Sequence, residues 1–149
     1  MGASKRTIFW AVCFLSWGSN VFSLNPPKCI QMAIGDVRMS DDVRRFIYNE
    51  VSKWLPKKTG YSCYLEWAAN FALVDNHSRI QGLEDYGEEV EMRRIGPWRA
   101  NFLKDTIKWW APELKNMDRL AKFGCFFFRT PSNGKTTAKL SCIFISSRD

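Results

Sequence analysis

An α+β fold in a single disulfide-bridged domain is predicted for this chain of 149 residues. Helical spacing of apolar residues dominates the chain before residue 124, and two β-rich segments follow at 124–129 and 137–145. Helices followed by strands, rather than alternating with them, are typical of the α+β class. Hydrophobic residues make up 46% and charged residues 25% of the chain. This composition suits a globular domain and excludes a wholly disordered chain.

Residues 1–23 are predicted to be a secretory signal peptide. Lys5 and Arg6 supply positive charge, residues 8–17 form an apolar run, and small residues precede the expected cleavage after Ser23. The apolar run is too short to cross about 30 Å of hydrocarbon, which disfavours a membrane anchor. Cleavage leaves a single domain over residues 24–149, in which residues 24–39 form an N-terminal arm.

Secretion also changes how the cysteines and the histidine are interpreted. Cys13 leaves with the signal peptide, so four of the five cysteines remain, and an even number in a secreted chain indicates disulfides. Asn76 begins an Asn-His-Ser sequon, a site for N-glycosylation. His77 is the only histidine, which excludes any site that needs two imidazoles in one chain. Its polar loop predicts a surface residue rather than a metal ligand.

The first helix is predicted to begin at the N-cap Ser40 and to end at Pro56. Asp41 and Asp42 occupy its first turn, where the helix dipole favours negative charge. Apolar residues follow at helical spacing and predict its inner face: Val43, Phe46, Ile47, Val51, Trp54 and Leu55.

Two further helices are predicted, over residues 62–73 and over about 98–110, where Pro112 limits the second of them. The remaining segments before the strands are a polar loop at 75–86, the start of a short element at 87–90, and one or two helical turns at 116–123.

A β-hairpin is predicted at the end of the chain, because Asn133-Gly134 between two apolar runs is a strong turn signal. If these two residues form the turn, Cys125 lies opposite Cys142 on a non-hydrogen-bonded pair, with Cα atoms about 4.5 Å apart. A bridge between them is therefore predicted, and Cys29 pairs with Cys63 by elimination. A longer turn would shift this register.

Short motifs run in a fixed order through most of the chain. They are MSDDVR at 39–44, Tyr48-Asn49, YSCYLE at 61–66, Gly87-Glu88, WWAPEL at 109–114, KFGC at 122–125 and LSCIF at 140–144. In this order they resemble the CAP superfamily of cysteine-rich secretory proteins, and most closely the nematode activation-associated secreted proteins. The resemblance implies a reduced CAP-type α–β–α sandwich with a C-terminal β-hairpin, and a disulfide between the last two strands.

The chain departs from the family at its central cavity, which in the family holds two histidines and two glutamates. Tyr48 stands at the first histidine position, and the stretch that carries the second is missing between Leu114 and Phe123. Glu88 and Glu113 match the two glutamate positions. Two carboxylates alone would hold only a weak hard cation, so a degenerate cavity with no metal and no cofactor is expected.

Binding rather than catalysis is predicted, since the sequence has neither a Gly-x-Ser-x-Gly elbow nor a glycine-rich phosphate loop. Aromatic anchors and basic clusters suit a partner surface that attracts acidic molecules such as glycosaminoglycans. The candidate surface consists of Trp109, Phe127, Arg93, Arg94 and Arg99. The alternatives are that the aromatic side chains are covered and that the cations form an ordinary solvated face.

The resemblance implies a secreted, extracellular, non-enzymatic protein that binds a host protein or glycan as a parasite excretory-secretory factor, or else a developmental factor. One alternative is a lipid- or sterol-binding carrier. Another is a cation-dependent hydrolase built on Glu88 and Glu113. A nucleic-acid partner is not expected, because no binding motif is present, and neither is a transmembrane segment. The sequence leaves the oligomeric state open.

Overall fold

The computed structural model describes residues 25–29, 38–75 and 87–147. The predicted signal peptide, the sequon at Asn76 and the histidine at position 77 lie outside these ranges. In chain order the elements are α1 (Asp41–Ser52), β1 (Gly60–Tyr61), α2 (Cys63–Asp75), β2 (Glu89–Pro97), α3 (Phe102–Leu114), β3 (Leu120–Ser132) and β4 (Lys135–Ser146). Within the described ranges, no helix combines the length and apolar character that crossing a membrane requires.

The four strands form one sheet in the order β1-β3-β4-β2. The central hairpin of β3 and β4 turns at Asn133 and Gly134, which both have positive φ angles, of 49° and 73°. A type I′ turn requires positive φ at both central positions, and Asn-Gly accommodates it best. The resulting register pairs Cys125 with Cys142. β2 runs antiparallel to β4, whereas the two-residue β1 runs parallel to β3.

Helices cover both faces of this sheet. Phe123 and Gly124 are neighbours on β3, so they face opposite sides. The Phe123 ring stacks on Tyr48 of α1, with centroids 5.7 Å apart. A Cβ placed on Gly124 would instead clash with the backbone at the start of α2, at Leu65 and Glu66 and at the preceding Ser62. α1 therefore lies on one face and α2 on the other, and glycine at 124 allows α2 to approach closely.

The third helix lies on the same face as α1. The Phe102 ring of α3 lies 6.3 Å from that of Phe127, which has the same orientation on β3 as Phe123 because the two are four residues apart. α1 and α3 also contact each other directly. The result is an α–β–α sandwich, which confirms the predicted α+β class and is consistent with a reduced CAP fold.

Two disulfides hold the sandwich together. Cys125 and Cys142 are fully buried in the central hairpin, with Cα atoms 4.0 Å apart. Cys29 and Cys63, with Cα atoms 5.3 Å apart, tie the N-terminal arm to the first residue of α2. One bridge thus lies in the core and the other fixes a chain end to a helix.

The helices differ from the sequence expectations at their ends. α1 ends at Ser52, before Pro56, and Phe46 is 42% exposed rather than inward-facing. α3 continues past Pro112 to Leu114, which is fully buried. Packing of that last turn outweighs the hydrogen bond that proline cannot donate. The residues expected to form helical turns at 116–123 instead lead into β3, which begins at Leu120.

Candidate functional site

Tyr48, at the family's first histidine position, is a core residue in this structure. Its ring lies parallel to that of Phe123, at an interplanar angle of 3°, and edge-on to Tyr61 with centroids 6.0 Å apart. Its hydroxyl donates to the backbone carbonyl of Thr59 at 3.4 Å. Aromatic packing therefore occupies the place where an imidazole would bind a metal.

The two glutamates at cavity positions are exposed. Glu88 precedes β2 and its backbone carbonyl accepts a hydrogen bond from the N–H of Ser146 at 3.0 Å. Glu113 lies in the last turn of α3 with its side chain toward solvent. Among the described residues, no group of three or more His, Cys, Asp or Glu side chains is arranged to hold a metal ion.

Phe127 does not belong to the surface that the sequence predicts. It is 8% exposed and lies under Trp98 and Phe102, with ring centroids at 5.8 and 6.3 Å. Alternate residues of a strand face opposite sides, and here helices cover both sides. Phe127 is therefore a core residue, and the aromatic part of the predicted surface reduces to Trp109.

Arg93 is also separated from the other predicted cations. It is adjacent to Arg94 on β2, so the two side chains leave the sheet on opposite faces. Arg93 donates to Oε1 of Glu91 from Nε at 2.9 Å and from Nη2 at 2.7 Å. Ser141 Oγ donates to the same oxygen at 3.2 Å. Arg93 and Glu91 therefore neutralise each other on the face of the sheet opposite Arg94.

Arg94 and Arg99 meet at a cleft of about 310 Å³ between β2 and α3. Residues 94–97, Arg99, Phe102, Asp105 and Thr106 line it. Arg94 and Arg99 are exposed, and neither forms an ion pair within the described part of the chain.

Trp109 lies beside this cleft, one helical turn beyond Asp105 on α3. It is 67% exposed, and the guanidinium carbon of Arg94 lies 5.1 Å from its ring centroid. This cation–π contact fixes the tryptophan against β2 while much of its surface stays in solvent. We call Arg94, Arg99, Asp105, Thr106 and Trp109 the arginine–tryptophan cleft.

Thr106 forms part of the cleft wall and carries an unsatisfied hydroxyl. The residue is 1% exposed, and its Oγ1 has no hydrogen-bond partner within the described ranges. Buried polar groups are nearly always paired, either with the protein or with an ordered water. The sequence contains no signal for this feature.

Comparison with known protein families assigns the chain to one of them. The family model described as ASPRs, Ancylostoma-associated secreted protein related, matches residues 29–144. The chain belongs to the ASPR family. This family is of CAP type, so the CAP resemblance of the sequence motifs is confirmed. No curated protein and no solved structure matches the chain.

A second polar arrangement in this ASPR chain was not expected from its sequence: a buried ion pair between α1 and α2. Arg44 donates to both carboxylate oxygens of Glu66, from Nε at 2.6 Å and from Nη2 at 2.7 Å. The hydroxyl of Tyr61 donates to Glu66 Oε2 at 2.6 Å and accepts from the N–H of Cys125 at 3.2 Å. The hydrogen bond to Glu66 raises the pKa of Arg44 above its ordinary range. These contacts connect both helices to β1 and β3.

Tyr61 is expected to make the stability of the ASPR domain fall at alkaline pH. Burial, together with the neighbouring Glu66 carboxylate, raises the pKa of Tyr61 well above its ordinary value of 10.0. The unfolded chain therefore loses this proton at lower pH than the folded chain. The free energy of unfolding should fall as the pH rises above about 10, by up to about 1.4 kcal/mol per pH unit from this group.

Urea unfolding from about pH 9 to about pH 12 would measure this effect, because the slope against pH reports the difference in bound protons. Tyr61→Phe should flatten the decline, whereas Tyr64→Phe, at a more exposed position on α2, should retain it. Equal slopes in the parent protein and Tyr61→Phe would show that Tyr61 does not cause the decline.

Two other clefts flank the sandwich. One, of about 210 Å³, lies where residues 25–27 meet Tyr48 and residues 58–61. The other, of about 310 Å³, is lined by residues 38–40, Val43 and residues 127–129. Neither cleft contains Glu88 or Glu113, so neither brings together the glutamates of the family cavity.

Proposed function

We propose that this ASPR protein is a secreted, non-enzymatic binding protein whose arginine–tryptophan cleft binds a negatively charged host protein or glycan. The proposal rests on one observation above all. Two exposed arginines without ion-pair partners in the described ranges line a single cleft beside an exposed tryptophan. Arginine, which binds carboxylate and sulfate groups in bidentate geometry, and tryptophan are both enriched at the energetic centres of interfaces.

The charge of the chain supports an anionic partner. The formal net charge is +7 for the full chain and +5 for residues 24–149, because Lys5 and Arg6 lie in the predicted signal peptide. A positive protein attracts acidic molecules over several ångströms before contact. Arg93 and Arg44 already hold carboxylates of their own. Arg94 and Arg99 are therefore better placed to accept an external anion.

An extracellular location agrees with three observations. The sequence predicts a signal peptide, the structure holds two disulfides, and the family name describes secreted proteins. Disulfides persist mainly in oxidising compartments outside the cytosol. The same family name, which refers to Ancylostoma, supports the proposal of an excretory-secretory factor that acts at the interface with a host.

The alternatives receive less support. Three clefts formed by described residues each have a volume of about 310 Å³ or less, at the lower end of small-molecule pockets, so none of the three supports a lipid carrier. A hydrolase would need a general acid and a base in an enclosed site. The candidate carboxylates Glu88 and Glu113 are instead exposed.

Removing the two cleft arginines is expected to weaken the binding of polyanions at least tenfold. Each lost charge-assisted hydrogen bond costs about 1.5–3 kcal/mol, and about 1.4 kcal/mol corresponds to a factor of ten in Kd. The folded protein and its Arg94→Gln/Arg99→Gln variant would be compared by biolayer interferometry on immobilised heparin and on immobilised polyglutamate.

Lys57→Gln/Lys122→Gln is the matched control. It removes the same charge at the opposite edge of the sheet, near β1, where both lysines are exposed. Its affinity should remain within about twofold of the parent protein, since exposed charges far from a site act weakly. An equal loss of polyanion affinity in the two double variants would overturn the proposal, and so would a parent protein that binds neither polyanion.

A further inference from the structure

We infer that the ligand of the arginine–tryptophan cleft is an acidic saccharide, bound with a sugar ring on Trp109 and a hydroxyl group on Asp105. This inference rests on the proposed function and goes beyond it by naming the ligand class. It depends on the mixed chemistry at the cleft, which combines two cations and one carboxylate in its lining with one exposed aromatic ring beside it.

Asp105 is the residue that favours binding of an acidic saccharide over binding of other polyanions. Its exposed carboxylate lines the same cleft as Arg94 and Arg99, and it forms no ion pair with either of them. An acidic peptide offers the cleft mainly carboxylates, which Asp105 repels. An acidic saccharide offers sulfate or carboxylate groups to the arginines and also neutral hydroxyls, which can donate to Asp105.

Trp109 provides a surface for a sugar ring. Arg94 lies over the indole, with its guanidinium carbon 5.1 Å from the ring centroid, yet the residue remains 67% exposed, so much of the indole surface is open to solvent. The π-face of an aromatic ring is negative. It therefore attracts the weakly positive C–H groups on the apolar face of a pyranose, whereas a polyglutamate side chain has no comparable rigid apolar face.

Thr106 belongs to the wall of the cleft, but its hydroxyl oxygen is fully buried and has no hydrogen-bond partner among the described residues. Because a ligand cannot reach it there, recognition of the saccharide depends on the two arginines, Asp105 and Trp109. With a volume of about 310 Å³, the cleft is small among ligand pockets. We therefore expect it to hold only a short part of a longer glycan.

The test uses two probes of similar negative charge: a heparin-derived tetrasaccharide and a short polyglutamate. Dissociation constants would be measured by calorimetry for the parent protein, Trp109→Ala and Asp105→Ala. Trp109→Ala should weaken tetrasaccharide binding by about five- to tenfold, as loss of an aromatic contact implies. Its effect on polyglutamate should stay within about twofold.

Asp105→Ala should change the two affinities in opposite directions. Tetrasaccharide binding should weaken by about three- to tenfold because a hydroxyl acceptor is lost, and polyglutamate binding should strengthen by about two- to fivefold because a repelling charge is lost. Tyr64→Ala on α2 and Asp118→Ala after α3 are matched exposed controls, and both should leave both constants unchanged. The far-ultraviolet circular dichroism of every variant would verify that it is folded.

The failure of this inference is distinguishable from failure of the proposed function. One contrary result is that Asp105→Ala strengthens the binding of both probes, and another is that Trp109→Ala weakens the binding of both equally. Either result would show that the cleft binds anions without recognising a saccharide. If the parent protein binds neither probe, both proposals are wrong.

Discussion

Glu66→Leu is expected to lower the free energy of unfolding by about 3–5 kcal/mol, because it removes the bidentate carboxylate partner of the buried Arg44 guanidinium. The Arg44 and Glu66 side chains are 3% and 8% exposed, so solvent replaces little of the lost interaction. Asp41, the other carboxylate that contacts Arg44, is half exposed and reaches only Nη1. The change also removes the acceptor of the Tyr61 hydroxyl. Because the carboxylate contacts groups from α1 and β1, its loss should destabilise the whole sandwich.

A double-mutant cycle in urea would measure this interaction. Arg44→Met/Glu66→Leu replaces both charges by apolar side chains of similar size, and it should cost less than Glu66→Leu alone. Asp42→Ala provides the exposed comparison, since Asp42 lies 3.9 Å from Arg45 at the surface, and it should change stability by no more than about 0.5 kcal/mol. A loss below about 1 kcal/mol in Glu66→Leu would contradict the assignment.

Removal of the core disulfide has the second largest expected effect. Cys125→Ala/Cys142→Ala should lower the free energy of unfolding by about 3 kcal/mol, because a bridge across 17 residues restricts the unfolded chain. Both cysteines are fully buried, so the lost sulfur atoms also leave unfilled space in the hairpin.

Urea unfolding of the alanine double variant would measure this loss from the transition midpoint and slope. A reductant titration of the parent protein supplies a second observation. Cys29 and Cys63 are only half-buried, so their bridge should open at a reductant concentration that leaves Cys125–Cys142 intact. An unchanged urea midpoint in the alanine variant would refute the stabilising role of the core bridge.

Local chemistry explains which parts of the fold the sequence predicts well. Asn133-Gly134 determines a two-residue turn, and the register that it sets holds from Ser132 opposite Lys135 to Lys122 opposite Ile145, including Cys125 with Cys142. Only the shift between Lys122 and Leu120 departs from it. The N-cap of α1 is similarly local, since Ser40 Oγ accepts from the N–H of Val43 at 3.3 Å. Neither feature requires knowledge of distant parts of the chain.

β2 was harder to predict because four of its residues are charged. Val90 and Met92 alternate with Glu89 and Glu91, a weak period-two pattern that only suggested a short element. The nine-residue strand exists because it pairs with β4 along its whole length. Such long-range pairing is not encoded in any local window of the sequence.

The candidate site was predictable only in part, for the same reason. The sequence selects Trp109, Arg94 and Arg99 as candidates, but their grouping depends on packing β2 beside α3. Strand alternation directs Arg93 away from Arg94, and the cover of two helices buries Phe127. The proximity of Asp105 to the two arginines is visible only in the folded structure.

The strand order of the sheet has a consequence for the order of folding during synthesis. Among the described strands β4 comes last in the chain, yet it lies between β3 and β2 in the sheet. A chain that emerges N-terminus first must therefore keep β2 without its neighbour until β4 has been made. The β3–β4 hairpin closes within about 1–10 μs once both strands are available, and earlier segments then assemble on it. Formation of the Cys125–Cys142 bond should thus be a late event in folding, after the helices and β2 have been synthesised.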